Sequence, residues 1–340
     1  MPPSETNARA ASGGADPLGS AAAQPAGRDP RFQADTQPIM VSAGQTWATL
    51  CTELAASGQR PLILPEDLDA TIAETLRLDD FGDSSHLRGT IRESVQAIPG
   101  GTDDGAQQTI ERSDASFLSR LEQLARTPGS EQLRLDVIRR PQRLLLRRCA
   151  WTSVPEFIRD VLIDAAIYQH EFLRARLFFG SQKCVVRALL GSYAPSLDIS
   201  FLRPVTATEA EAVDLSQDPS RPRWPSGPWL SFCMPLPDGL RAWPELGLRL
   251  EEQGLINSLA RGASSIAVLP RPLPGHAASR WHFRLVLRPE VRSSEHDSLL
   301  PRLRLIAEQA SALGATLRPT GTCSDPAFAD LPGTIAQSLR

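Results

Sequence analysis

The sequence predicts an α+β protein: a disordered N-terminal tail, a helical N-terminal half, then a mostly antiparallel sheet of about five strands covered by helices. Three observations carry this expectation. Residues 1 to about 40 are rich in Ala, Ser, Pro and Gly and show no hydrophobic period, so they cannot bury enough surface to offset the entropy of ordering. Between Thr46 and Leu124 apolar residues recur at threes and fours. Beyond Gly180 the period falls to two, in short runs bounded by Pro, Gly and Ser. The expected organisation is therefore a tail over 1–40, a mainly helical region over 41–150 and an α+β domain over 151–340.

In the first half, Trp47, Leu50, Cys51 and Leu54 share a helical face, as do Leu68, Ile72, Leu76 and Phe81. Phe117, Leu118, Leu121 and Leu124 form a third stripe, broken by Pro128-Gly129. A long helix is expected over Pro155–Phe179. Ser153 and Glu156 stand three apart as a capping box requires, and Phe157, Ile158, Val161, Ala165, Tyr168, Phe172 and Ala175 continue one stripe. Strands are expected at Cys184–Val186, Leu197–Leu202, Leu230–Met234, Ser265–Leu269 and His282–Leu287, interrupted by helices near Glu245–Leu259 and Ser298–Leu313.

Composition narrows the classes of partner. With a formal net charge of −3 over 340 residues, no global field draws the chain to nucleic acid or anionic lipid. No apolar run approaches the roughly eighteen residues of a membrane span, and the first residues lack the basic-then-apolar order of a secretory signal. The five cysteines are scattered without Cys-x-x-Cys spacing, so they read as reduced and mostly buried. Of the 36 basic residues all but Lys183 are arginine. A GC-rich genome explains that bias. It also suits a protein delivered into eukaryotic cytosol by a non-Sec secretion route, where lysines attract ubiquitin. A cytoplasmic location, or such delivery, is the expectation.

Charge is uneven along the chain. Residues 66–83 hold seven acids against Arg77, and residues 134–148 hold Arg134, Arg139, Arg140, Arg143, Arg147 and Arg148 against Asp136. The two stretches could pair within the fold. No aromatics interleave the arginines to stack bases, so nucleic acid is disfavoured as a partner. Pro219, Pro222, Pro225 and Pro228 recur every third residue, the period of a polyproline II spacer.

The string Asp79-Asp80-Phe81-Gly82-Asp83-Ser84-Ser85-His86-Leu87-Arg88-Gly89 is the most chemical in appearance. On a helix, acids at its first, second and fifth positions would share a face, and hard oxygen ligands suit Mg2+. It resembles the first aspartate-rich motif of isoprenyl diphosphate synthases, which implies Mg2+ held by Asp79, Asp80 and Asp83 against a diphosphate. Only Arg88-Gly89 stands for that family's Arg-Arg-Gly, and no second aspartate-rich motif follows. Asp80-Phe81-Gly82 also resembles the metal-binding Asp-Phe-Gly of kinases, without their glycine-rich and catalytic loops. The bottom-up alternative is an acidic loop closing a helix, with Gly82 as breaker.

Residues 281–313, Trp281-His282-Phe283-Arg284-Leu285-Val286-Leu287-Arg288-Pro289 with the helix beyond, resemble the small C-terminal domain of pyridoxal-phosphate-dependent decarboxylases. That resemblance implies Asp164, in Ile163-Asp164-Ala165-Ala166, at the pyridine nitrogen, His86 against the ring and Lys183 as Schiff base. Cys149 and Cys184 are nucleophiles only if a histidine lies near them in space, and His170, His276, His282 and His296 are too dispersed to read as ligands. No Gly-x-Ser-x-Gly, Gly-Lys-Ser/Thr or His-Glu-x-x-His is present. No family is assigned. The expected role is binding another macromolecule, a protein before anything else, as effector, adaptor or accessory protein, with no cofactor. An enzyme of the Mg2+-diphosphate or pyridoxal phosphate type is the rival reading.

Overall fold

The computed structural model describes residues 36–101, 107–126, 131–139, 144–167, 170–180, 184–193, 228–270 and 279–318. The expected tail up to residue 35, the strand at Leu197–Leu202, Pro219, Pro222, Pro225 and Lys183 lie outside the described residues.

The α+β class holds, but strand enters earlier than expected. Gln37–Met40, placed in the tail by composition, belong to strand β1 (Gln37–Ser42). The stretch expected to be mainly helical carries five further strands: β2 (Gln59–Pro61), β3 (Val95–Gly101), β4 (Gln107–Glu111), β5 (Gln132–Arg139) and β6 (Leu144–Trp151). The reason is visible in β5. Leu133, Leu135 and Val137 alternate with polar residues, so a period of two runs beneath what reads as an arginine cluster, and all three are buried. The first sheet has the order β1-β5-β3-β4, with β2 also on β5. Val41 faces Leu133 and Ile39 faces Leu135 in its antiparallel register.

The helices of this half follow the apolar stripes, except that α2 takes only Ile72 and Leu76 of its stripe, while Leu68 precedes it and Phe81 lies in the turn beyond it. In α1 (Trp47–Ala56) the Thr46 hydroxyl accepts from Thr49 N at 3.2 Å, and Trp47, Leu50 and Leu54 are buried. Trp47 Nε1 donates to Thr75 Oγ1 at 3.0 Å, fastening α1 to α2 (Ile72–Arg77). Helix α2 opens with a full capping box between Thr71 and Glu74. The short α3 (Ser85–Arg88) follows, then α4 (Phe117–Arg126), which buries Phe117, Leu121 and Leu124 and leaves Leu118 exposed.

The second sheet is larger: β7 (Phe172–Phe179), β8 (Cys184–Tyr193), β9 (Leu230–Pro235), β10 (Ser265–Leu269), β11 (His282–Leu287) and β12 (Thr316–Arg318) join β6 in the order β12-β9-β11-β10-β7-β8-β6. Every pairing is antiparallel. The helix expected over Pro155–Phe179 is the shorter α5 (Val154–Ile167), and Phe172 and Ala175 belong to β7 instead. Leu173, Ala175, Leu177 and Phe179 alternate with Arg174, Arg176 and Phe178, and that two-fold alternation prevails over the coincidental helical spacing. At the start of α5, Ser153 Oγ accepts from Glu156 N at 3.3 Å, while the Glu156 carboxylate turns to Thr152 Oγ1 at 2.7 Å. The helix expected near Glu245–Leu259 is two, α6 (Asp238–Glu252) and α7 (Ile256–Arg261), separated where Gly254 takes φ 61°. Helix α8 (His296–Ala312) stands where its stripe placed it.

One face of this sheet meets α5, α6, α7 and α8 in a single core that includes Phe157, Val161, Leu177, Val186, Phe232, Phe283, Leu303 and Ile306. Each such side chain contributes roughly 1.5–3 kcal/mol on burial. The opposite face is divided. At β9-β11-β10 it receives Phe81 and Leu78 from the first half, in a small cluster with Trp229, Ala267, Leu269 and Val286. At β7 and β10 the strands pair only through Ser265 with Arg176 and Ile266 with Ala175. Beyond that point Leu173 N donates to Asp83 O at 2.6 Å, so the acidic turn before α3 seats itself where the two strands diverge. Among the described residues no helix is long and apolar enough to cross a membrane.

Candidate functional site

The turn 79–83 links α2 to α3 rather than lying on a helix, so Asp79, Asp80 and Asp83 share no helical face and each has its own partners. Asp79 has a left-handed backbone, φ 48°. Its Oδ1 accepts from Thr90 Oγ1 at 2.5 Å and lies 3.7 Å from Arg92 Nε, and its Oδ2 lies 3.1 Å from an Arg318 Nη1. Burial pushes this carboxyl up, but Arg318, Arg92 and Arg284 outweigh it and hold Asp79 below the ordinary carboxylate range. For Asp80 burial wins over Arg284 and Arg288, and its pKa is pushed up to about 6. Asp83 turns away toward Arg60 Nη2, 3.2 Å from Oδ2, while its Oδ1 accepts from Leu64 N at 3.0 Å. Among the described residues no group of three or more His, Cys, Asp or Glu side chains is placed to hold a metal ion.

These acids meet Arg60 and Arg92 of the first half and Arg284, Arg288 and Arg318 of the second, not the 134–148 stretch that charge alone suggested. Arg284 is 1% exposed in β11; its Nε donates to Ser231 Oγ at 2.9 Å, one Nη to Leu78 O at 3.0 Å and the other to Asp79 O. Its guanidinium also lies 5.5 Å from the Phe81 ring centre. Arg288, equally buried, stands 3.6 Å from Glu66 Oε2 and 5.3 Å from the Trp229 ring. Burial pulls the Arg288 pKa down to about 9 against the pull of Glu66 and Asp80. Arg134, by contrast, meets Glu111 at 3.4 Å within the first sheet. The Asp-Phe-Gly string thus has a packing explanation: Asp80 faces arginines, Phe81 fills the cluster above β10 and β11, and a Cβ on Gly82 would run into the Leu64 carbonyl.

Beside the acidic turn lies a junction that sequence spacing hid. Asp164, on α5, is not at a strand end; its Oδ1 accepts from His170 Nδ1 at 2.5 Å. His86 Nε2 donates to the His170 carbonyl at 2.9 Å, which assigns the proton to Nε2 and leaves Nδ1 an acceptor. His86 is 2% exposed, and burial lowers its pKa, so its imidazole is neutral. His86 Nδ1, His170 Nε2 and Asp164 Oδ2 are buried without hydrogen-bond partners among the described residues. His86 and Ser85 line a cavity of about 10 Å³ together with Glu66, Phe81, Arg174 and Val268, room for about one water molecule. The structure therefore joins His86 and Asp164 through His170, a residue dismissed for its dispersed position. Burial raises the neighbouring Glu171 carboxyl to about 7 despite Arg88 and Arg60.

Two cysteines differ sharply. The Cys184 thiol is pushed up to about 12 by burial, which favours its protonated form. Cys233, unremarked in the sequence, is lowered to about 7: burial pushes it up, but Arg318, a hydrogen bond with His282 and Arg284 prevail.

The remaining candidate surface is the other end of the same sheet face. The registers of β7, β8 and β6 place Arg174, Arg176 and Phe178 beside Leu189, Arg187 and Val185, and these beside Arg148 and Ala150. Phe178 is 39% exposed, with the Arg187 guanidinium 4.8 Å from its ring centre, and Arg148 and Ala150 are exposed as well. No acidic residue of these strands points to this face among the described residues. Among the described residues β6 is the last strand of the sheet on that side.

Neither a protein-family model nor a curated protein matches this chain.

Proposed function

We propose that this protein binds another protein, as an effector, adaptor or accessory protein, and that it does so through the outer face of β7, β8 and β6. The single observation that carries the reading is the composition of that face. It presents an exposed aromatic, two half-buried aliphatics and several arginines, with no acid beside them among the described strand residues. Arginine and aromatic residues are the side chains that dominate protein interfaces, because both bury large area and offer directed contacts. A terminal strand adds backbone groups able to accept one more strand, the geometry of β-augmentation. The partner segment that fits is extended, acidic and apolar on alternate residues.

The Mg2+-diphosphate alternative is not favoured, since Arg60, Arg92 and Arg318 engage the acids it would use.

A labelled Glu/Val alternating peptide tests the reading by fluorescence anisotropy, against a Lys/Val peptide and a single-stranded oligonucleotide. The Glu/Val peptide is expected to bind, to weaken with salt, and to lose at least about tenfold in the double variant Phe178→Ala, Arg187→Glu, a hot-spot-sized loss. Equal binding of both peptides, or preference for the oligonucleotide, overturns it.

A further inference from the structure

The small cavity beside α3 lies where β7 and β10 part, since those strands pair only through Arg176 with Ser265 and Ala175 with Ile266. The first half contributes Glu66, Phe81, Ser85 and His86 to its lining. Three of these four carry polar groups, and each keeps one group uncommitted. His86 Nε2 is committed to the His170 carbonyl, so Nδ1 holds the ring's remaining lone pair, buried without a hydrogen-bond partner among the described residues. Glu66 Oε2 is likewise buried without a hydrogen bond; Arg288 Nη1, 3.6 Å away, attracts it from beyond bonding distance. Ser85 Oγ accepts from Gly82 N at 2.8 Å, which leaves the hydroxyl proton to give. Two orphaned acceptors and one donor therefore line a volume of about 10 Å³, the size of one water molecule. Buried acceptors in folded proteins are bonded either to protein or to ordered water, because leaving them unsatisfied is costly.

We propose that this cavity is a binding site for a single water molecule, which donates one proton to Glu66 Oε2 and the other to His86 Nδ1 and accepts from the Ser85 hydroxyl. Three hydrogen bonds are the usual complement of a buried water. The surrounding charges select a neutral occupant. A cation would stand beside the Arg174 guanidinium, which also lines the cavity, and close to Arg288. An anion would stand against Glu66. The volume excludes a larger polar molecule. Bound there, the water reinforces the bridge between Pro65 and Gly82, since it joins the residue after Pro65 to the first two residues of α3. It also hydrates Glu66 on the side away from Arg288, so that this buried pair is an ion pair supported by water rather than by a direct hydrogen bond.

The test uses the full chain and oxygen-17 relaxation dispersion of the solvent, which counts long-lived internal waters and is blind to exchanging hydroxyl and guanidinium protons. Ala267 lines the cavity and packs with Phe81, so the added methyls of Ala267→Val take the water's place. The dispersion amplitude of the wild type is expected to exceed that of Ala267→Val by a single water molecule per chain. An unchanged amplitude in the folded variant overturns the proposal. A long-range nitrogen–proton correlation spectrum is expected to show His86 with its proton on Nε2 and Nδ1 as acceptor; a proton on Nδ1 also overturns it. Should Ala267→Val fail to fold, Ser85→Ala decides, because it removes the neighbouring hydroxyl but keeps both acceptors. Nuclear Overhauser transfer from the water resonance to the Ala267 methyl is expected to persist in that variant, and its loss overturns the site.

Discussion

The two ends of one sheet face make the sharpest contrast in the molecule. At β9-β11-β10 the outward positions hold Arg284 and Arg288, each 1% exposed, under Phe81 and against Asp79 and Glu66. At β7-β8-β6 the same alternation places Arg176, Arg187 and Arg148 outward beside Phe178; those strands carry no acid among their described residues, and Phe178 and Arg187 reach solvent. Arginine alternating with apolar residues therefore carries no single meaning. Covered, it is a seam between two layers, in which each buried charge needs a partner to offset desolvation. Open, it leaves guanidiniums and an aromatic ring in contact with water.

The largest expected effect that sharpens this contrast is at Arg284. Arg284→Met removes hydrogen bonds to Ser231, Leu78 and Asp79 and leaves buried acids short of a cation. A loss of about 3–5 kcal/mol in urea unfolding is expected, as for breaking other buried pairs. A loss below about 1 kcal/mol would show that the seam is held by Phe81 and its neighbours alone.

Next come the two adjacent aspartates, whose signs oppose. The Asp79 carboxyl is held low, so it contributes stability above the unfolded pKa near 4 that disappears as pH falls through its folded value. Asp79→Asn should destabilise at pH 7.5. The Asp80 carboxyl is raised to about 6, so the folded state retains a proton the unfolded chain has lost, and stability falls as pH rises from about 4 to 6. Asp80→Asn should therefore gain about 1–3 kcal/mol at pH 7.5 and nothing at pH 4. Unfolding both variants at the two pH values checks this; parallel losses would mean that Asp80 is charged and paired in the fold.

The smallest effect belongs to the open end. Arg187→Met should change stability by no more than about 0.5 kcal/mol, since its charge is exposed and its stem can still cover Phe178. A loss comparable to that of Arg284→Met would mean that the β7-β8 face is already covered, and the docking surface would have to be sought elsewhere.

Legibility in the sequence followed the range of the interaction responsible. Strands β10 and β11 stand at the residues expected, because short apolar runs between Gly, Pro and Ser encode them locally. Helices α1 and α8 likewise follow their stripes. Strand β5 was hidden by its arginines, and β7 by apolar residues that satisfy a helical and a two-fold spacing at once. Only pairing with β8 and β10 distinguishes those two readings of Phe172–Phe179.

The candidate sites were less legible still. The acids at 79, 80 and 83 were visible, but their arginines lie on strands up to about 240 residues away, and Cys233 acquires its cations from β11 and β12. Alternation, apolar stripes and bounding Gly, Pro and Ser by themselves determined segments such as β10, β11, α1 and α8, because those signals act within a few residues, whereas β5 and β7 became strands through their partners. What each charge does was decided by the tertiary structure alone: whether an arginine desolvates against an acid, polarises a thiol or faces water depends on which strands become neighbours and which face the first half covers.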